Sequence, residues 1–179
     1  MVHKVPYHHV QAVDANVMKH TTMFQTWPSL RNTYHGTKAL QLSNIKCLKR
    51  AIALRSEWAI ICEDDAELPK TVSFRQVVKK YPNSKVIYMD NRNQGGDGVV
   101  PGCCTNCVMY HKSVFADLVR HLDPRSPLYI EFASKCEAPM FDFYLSWLLR
   151  RLSIHTSSHP LVGGHRFDTT LDYPSGKKN

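Results

Sequence analysis

Nothing in this sequence of 179 residues is long and apolar enough to span a membrane, a task that takes about 20 consecutive apolar residues. Its longest apolar runs, such as Ala59-Ile60-Ile61-Cys62 and Trp147-Leu148-Leu149, stop far short of that. No N-terminal stretch joins a basic region to an apolar one, so no secretion signal is read, and a soluble, cytoplasmic protein is expected. Internal repeats and low-complexity tracts are missing, and no linker splits the chain. One domain over residues 1–174 is expected, with a polar tail at 175–179.

Cysteine is present, but not in a pattern that builds a framework. The six are Cys47, Cys62, Cys103, Cys104, Cys107 and Cys136. Without a secretion signal, reduced thiols are expected. Two of them fall in an expected helix and an expected buried strand, where a free cysteine behaves as a small hydrophobe. The run Cys103-Cys104-Thr105-Asn106-Cys107 lacks the second ligand pair that a structural zinc site needs, which leaves a cysteine-rich buried strand. A long basic run and a basic-aromatic nucleic-acid motif are also missing, so nucleic acid is not an expected partner. The net charge is nevertheless +8. Its small groups, Lys46-Lys49-Arg50, Lys79-Lys80, Arg150-Arg151 and Lys177-Lys178, fit a solvated basic surface, or a funnel for an anion such as a nucleotide diphosphate.

What is present reads as alternating elements. Residues 2–14 suggest a short strand ending at Asp14, and Trp27-Pro28-Ser29 a turn. From Thr37 to about Glu57, Leu40, Ile45, Leu48 and Ile52 recur at helical spacing. Trp58 to Cys62 is a continuous apolar run of the kind buried on two faces. A short helix over 73–80 follows, then a strand from Lys85 to Met89 that ends at Asp90. Residues 91–102 read as a substrate-facing loop rich in Gly and Asn. A strand through Cys104–Tyr110 leads into a helix capped by Ser113 and running to about His121. Asp123 to Pro127 reads as a turn, and residues 139–152 as a helix with proline near its first turn. The alternation predicts a mostly parallel α/β sheet flanked by helices, with ligands beyond the carboxyl ends of strands.

That rule directs attention to Glu63-Asp64-Asp65, which follow directly on the apolar run ending at Cys62. Adjacent carboxylates repel unless a cation or partner compensates. Carboxylate oxygens suit Mg²⁺ or Mn²⁺, and Mg²⁺ is commonly held by one or two carboxylates together with substrate phosphates. A solvated turn or a helix cap is the plainer account of the same residues.

The stretch from Tyr34 to Leu68 resembles the central block of glycosyltransferase family 25, the lipopolysaccharide and collagen galactosyltransferase-like group. The likeness lies in a helix carrying Leu42-Ser43-Asn44 and an apolar strand ending in Glu63-Asp64-Asp65. Val10-Gln11-Ala12-Val13-Asp14-Ala15 is similar to the family's Ala-Val-Asp-Gly segment. Tyr110-His111-Lys112-Ser113 is similar to its Tyr-x-x-Ser, Pro139-Met140-Phe141-Asp142 to its late helix start, and His159-Pro160-Leu161-Val162 to its final strand. The ordered set covers most of the chain and fits a short viral or bacterial member. The family's usual first strand is absent, and Asn44 stands where the family often has histidine.

The resemblance implies a GT-A fold and a metal-dependent transfer of sugar from a nucleotide-diphosphate sugar to a glycan or glycoprotein acceptor. It implies Mn²⁺ (or Mg²⁺) held by Asp65, with Glu63 or Asp64 on the ion's waters or the donor ribose. It also implies a further ligand from the chain end, His165 ahead of His159 because Gly163-Gly164 allows close backbone approach. By family position Asp142 is the base that takes the acceptor's proton, with Glu137 as the alternative. Helix-dipole complementation is the plainer role for Asp142. Asp14 would meet the donor's base or ribose, Lys38 the diphosphate, and Asn44 the donor side of the site. Two other classes start from the same residues. A glycosidase uses two carboxylates from separate elements, whereas three are adjacent here. A metal nuclease or nucleic-acid-binding module fits the positive charge and predicts salt-sensitive oligonucleotide binding.

Overall fold

The computed structural model describes residues 8–14, 35–63, 66–67, 73–90, 95–98, 100–101, 105–136 and 139–164. Helix α1 (His35–Ala53) leads into β1 (Trp58–Cys62) and the two-residue β2 (Ala66–Glu67). Next come α2 (Phe74–Lys80), β3 (Val86–Asp90), the short β4 (Gly96–Asp97) and β5 (Cys107–His111). A 3₁₀ turn at Lys112–Val114 opens α3 (Phe115–His121), followed by α4 (Pro127–Ser134), α5 (Phe141–Arg151) and β6 (Thr156–Gly164).

The strands lie in the order β1-β5-β3-β6-β2, with β4 against β6. The class is mixed α/β, as expected, but the sheet is not mostly parallel. Only β3 and β6 run parallel among the described strands, and the other four pairings are antiparallel. The reason lies in the connections. No helix is described between β3 and β5, and β5 returns alongside β3 in the opposite sense. Three helices then separate β5 from β6, long enough to carry the chain across the sheet and bring β6 in parallel to β3.

Alternation along the strands gives the sheet two buried faces. Val86, Tyr88, Val108 and Tyr110 face α1, α3, α4 and α5, whose Leu48, Leu118, Tyr129, Leu145 and Leu149 complete that core. Ile87, Met89, Cys107 and Met109 face the other way, against Val77 and Tyr81 beside α2. Strand β1 ends the strand order among the described residues and is half-buried, not enclosed on two faces as its apolar run suggests. Between Tyr88 and Asp90 the register with β6 shifts. On β6 the shift spans Pro160, which has no N–H to give a ladder.

Several boundaries differ from expectation. Helix α1 stops at Ala53 instead of running to Glu57, and Ile52 is 45% exposed. Residues 8–14 form no regular element; they lie along α1, where the Val13 amide donates to Ser43 Oγ at 2.9 Å. Ser113 is not the cap of α3 but sits within the 3₁₀ turn, where its own amide donates to His111 Nδ1 at 3.3 Å. Helix α4 occupies what reads as the end of a turn. The turn at Trp27-Pro28-Ser29 and the tail at 175–179 lie outside the described residues. No helix among the described residues is long and apolar enough to cross a membrane.

Candidate functional site

Three chain segments meet where β1 ends. The ladder between β1 and β5 continues one step past Cys62, with the Glu63 amide donating to the Asn106 carbonyl at 2.8 Å. That bond holds the half-buried Glu63 beside the segment entering β5. On that segment, the buried Thr105 points its hydroxyl at two carboxylates. Thr105 Oγ1 lies 2.6 Å from Asp142 Oδ1 and 3.3 Å from Glu63 Oε1. A hydroxyl carries one proton, so Asp142 takes the strong bond and Glu63 the longer, weaker one.

Asp142 stands in the first turn of α5, whose N-cap Met140 makes no side-chain cap bond. The carboxylate therefore complements the positive end of the helix dipole, while Thr105 sets its rotation. Glu63 and Asp142, distant in sequence and singled out for different roles, are thus joined through one hydroxyl. Thr105 carries no motif of its own and sequence reasoning passes over it.

A further acid belongs to the same edge. Asp90 ends β3 and is fully buried. Extending the β3–β5 register by two residues from Tyr88↔Val108 sets Asp90 across from Asn106. Asn106 then stands between Glu63 on one side and Asp90 on the other. The signal that flags Glu63, a carboxylate closing an apolar strand, also marks Asp90, which the sequence reading leaves at the strand end without a role.

The remaining predicted residues are more scattered. Lys38 is buried within α1, only 1% exposed, and loss of water around its ammonium lowers its pKa to about 8. It is therefore not one of the solvated surface lysines. Asn44, also buried, spends an amide proton on its own helix, donating to the Leu40 carbonyl at 3.0 Å. Asp14 is exposed at the end of the segment that lies along α1. His159 turns toward the α2 face: its Nδ1 is 3.3 Å from Tyr81 Oη, and burial, with Lys80 nearby, holds its pKa below the ordinary value. Asp64, Asp65, His165 and Glu137 lie outside the described residues.

Donor chemistry at the junction is that of hard oxygen ligands: two carboxylates and a hydroxyl, which fit Mg²⁺ or Mn²⁺ better than a thiophilic ion. Among the described residues no three His, Cys, Asp or Glu side chains converge as a complete cage. A scan against protein-family models finds no match for the chain, and a search of curated proteins likewise finds none.

Proposed function

We propose that this protein is a metal-dependent glycosyltransferase of GT-A type, moving a sugar from a nucleotide-diphosphate donor to an acceptor hydroxyl at the acidic end of β1. The observation that carries the reading is the meeting of Glu63 and Asp142 at the Thr105 hydroxyl. Two carboxylates joined through one hydroxyl gather hard oxygen donors at one place, which suits a cation or a proton-accepting role. A mixed sheet with helices on two faces and its acids gathered at one edge accommodates such a site.

A bound Mn²⁺ or Mg²⁺ would supply neutralisation of the charge that builds on the nucleotide diphosphate as the sugar departs. Glu63, with Asp65 and His165, would hold that ion, and Asp64 would meet its waters or the donor ribose. Asp142 accepts the proton of the acceptor hydroxyl as the new bond forms. Thr105 fixes the carboxylate of Asp142 so that its accepting oxygen keeps one direction. Lys38, Asp14 and Asn44 are the donor-side residues of this reading.

Calorimetric titration of a panel of nucleotide-diphosphate sugars, with and without Mn²⁺, tests it. Binding is expected only with the ion, and is expected to vanish in Asp65→Ala while the circular dichroism spectrum stays unchanged. Undiminished donor affinity in that variant, or salt-sensitive binding of oligonucleotides in place of nucleotide sugars, would overturn the reading.

A further inference from the structure

Strands β1 and β5 bring two cysteines face to face, Cys62 opposite Cys107. Their place in the ladder follows from the bonds at either end of it. Glu63 N donates to Asn106 O at 2.8 Å, and Lys112 N donates to Glu57 O at 2.8 Å. Hydrogen-bonded and non-hydrogen-bonded pairs alternate along an antiparallel ladder. Glu63–Asn106 is hydrogen-bonded, so Cys62–Cys107, one step inward, is not. That class sets Cα atoms about 4.5 Å apart and brings side chains closest, inside the span a disulfide requires. The two sulfurs are 2.9 Å apart and both are free thiols. Cys107 is fully buried, whereas Cys62 is exposed and open to a reagent in solution.

We propose that Cys62 and Cys107 are a redox-modification site that closes into a cross-strand disulfide on reaction with a low-molecular-weight disulfide. The exposed Cys62 sulfur, its proton released to solvent, attacks one sulfur of the small disulfide. The small S–S bond breaks, one small thiolate leaves, and a mixed disulfide remains on Cys62. Cys107 then loses its proton and attacks the Cys62 sulfur, breaking the mixed disulfide and expelling the second small thiolate. The two released protons end on the two small thiols. The protein loses two electrons and the small disulfide gains them. The new covalent rung lies next to the Glu63–Asn106 bond and so pins the strand end that carries Glu63.

The inference does not depend on the transferase reading, and its test uses no donor, metal or activity. The full chain is incubated with oxidised glutathione and digested with trypsin without reduction. Cys62 then lies in the peptide 56–70, and Cys107 in the peptide 93–112 together with Cys103 and Cys104. Expected are an intact mass lighter by two hydrogens and a cross-linked pair of these peptides. Tandem fragmentation should place the bond at Cys107. Cys107→Ser should stall as a glutathione adduct on Cys62, and Cys107→Ala should do the same should serine disturb the core. Amide exchange at Glu63 should slow in the oxidised wild type. A link from Cys62 to Cys103 or Cys104, a glutathione adduct that persists on wild-type Cys62, or an unreactive Cys62 would each overturn the proposal.

Discussion

The Thr105 hydroxyl has one proton and two carboxylates within reach, at 2.6 Å and 3.3 Å. Hydrogen bonds to charged groups contribute roughly 1.5–3 kcal/mol each. Thr105→Val, which keeps the shape and removes the proton, is therefore expected to lower unfolding stability by about that amount in urea titration. Thr105→Ser should restore most of it, because the lost quantity is the hydroxyl and not the methyl. Asp142→Asn separates the two roles open to that residue. The amide keeps size and removes basicity, so on the proposed transferase reading donor binding should persist while transfer falls at least about 100-fold, the usual worth of a general base. Transfer near the wild-type rate would leave Asp142 as the acid of the helix terminus alone. Glu63 and Asp142 were legible in the sequence because a carboxylate at a strand end or in a first helical turn has a local signature. Thr105 was not, since its significance lies wholly in what two remote segments place beside it. Lys38 is a related case: only packing shows that this lysine near the start of α1 is buried.

At the scale of elements, two helix ends carry left-handed residues that are not glycine. Arg55 has φ 51° after α1, and Ser153 has φ 53° after α5. Each closes a double bond of the Schellman kind: Arg55 N to Ile52 O and Ser56 N to Ala51 O, then Ser153 N to Arg150 O and Ile154 N to Leu149 O, all at 2.9–3.0 Å. A side chain in that conformation costs about 1 kcal/mol. Arg55→Gly and Ser153→Gly should each stabilise by about 0.5–1 kcal/mol, and nearly additively, as read from urea midpoints. These ends also explain an overshoot. The apolar spacing that predicts α1 carries on toward Glu57, and no glycine announces the stop. Helix α4 was hidden by Pro127, which reads as part of a turn. Ser126 accepts from the Tyr129 amide at 3.1 Å with proline in the first turn, a start signal that the sequence did contain. Strand direction was the least legible feature, because alternation of helix and strand says nothing about which strands become neighbours.

At the scale of the molecule, two histidines among the described residues bias stability with pH. Burial, together with nearby Lys85, holds His111 below its ordinary pKa, and burial with nearby Lys80 does the same for His159. A group whose folded pKa is depressed binds more protons when unfolded, so stability rises with pH between the folded and unfolded values. Stability should therefore fall as pH drops below about 6.5, the ordinary histidine value, and His159→Gln should flatten that fall. Urea midpoints at pH 7 and pH 5.5 check it. The order of the strands has a consequence of another kind. Neighbours in the sheet are far apart along the chain: Trp58 opposes His111, and Val86 pairs with Thr156. Such pairings must close long loops before they are rewarded, which slows folding toward the millisecond-to-second range. Glu63, Thr105 and Asp142 come from three of these separated stretches, so a nascent chain lacks the junction until synthesis has passed α5. In stopped-flow refolding, helical circular dichroism should return first, and the fluorescence of Trp58 should follow only as β1 pairs with β5. On the proposed transferase reading, competence to bind a donor with Mn²⁺ should return only with the slowest phase. A newly made copy would spend its earliest moments folded in part and without its acidic junction.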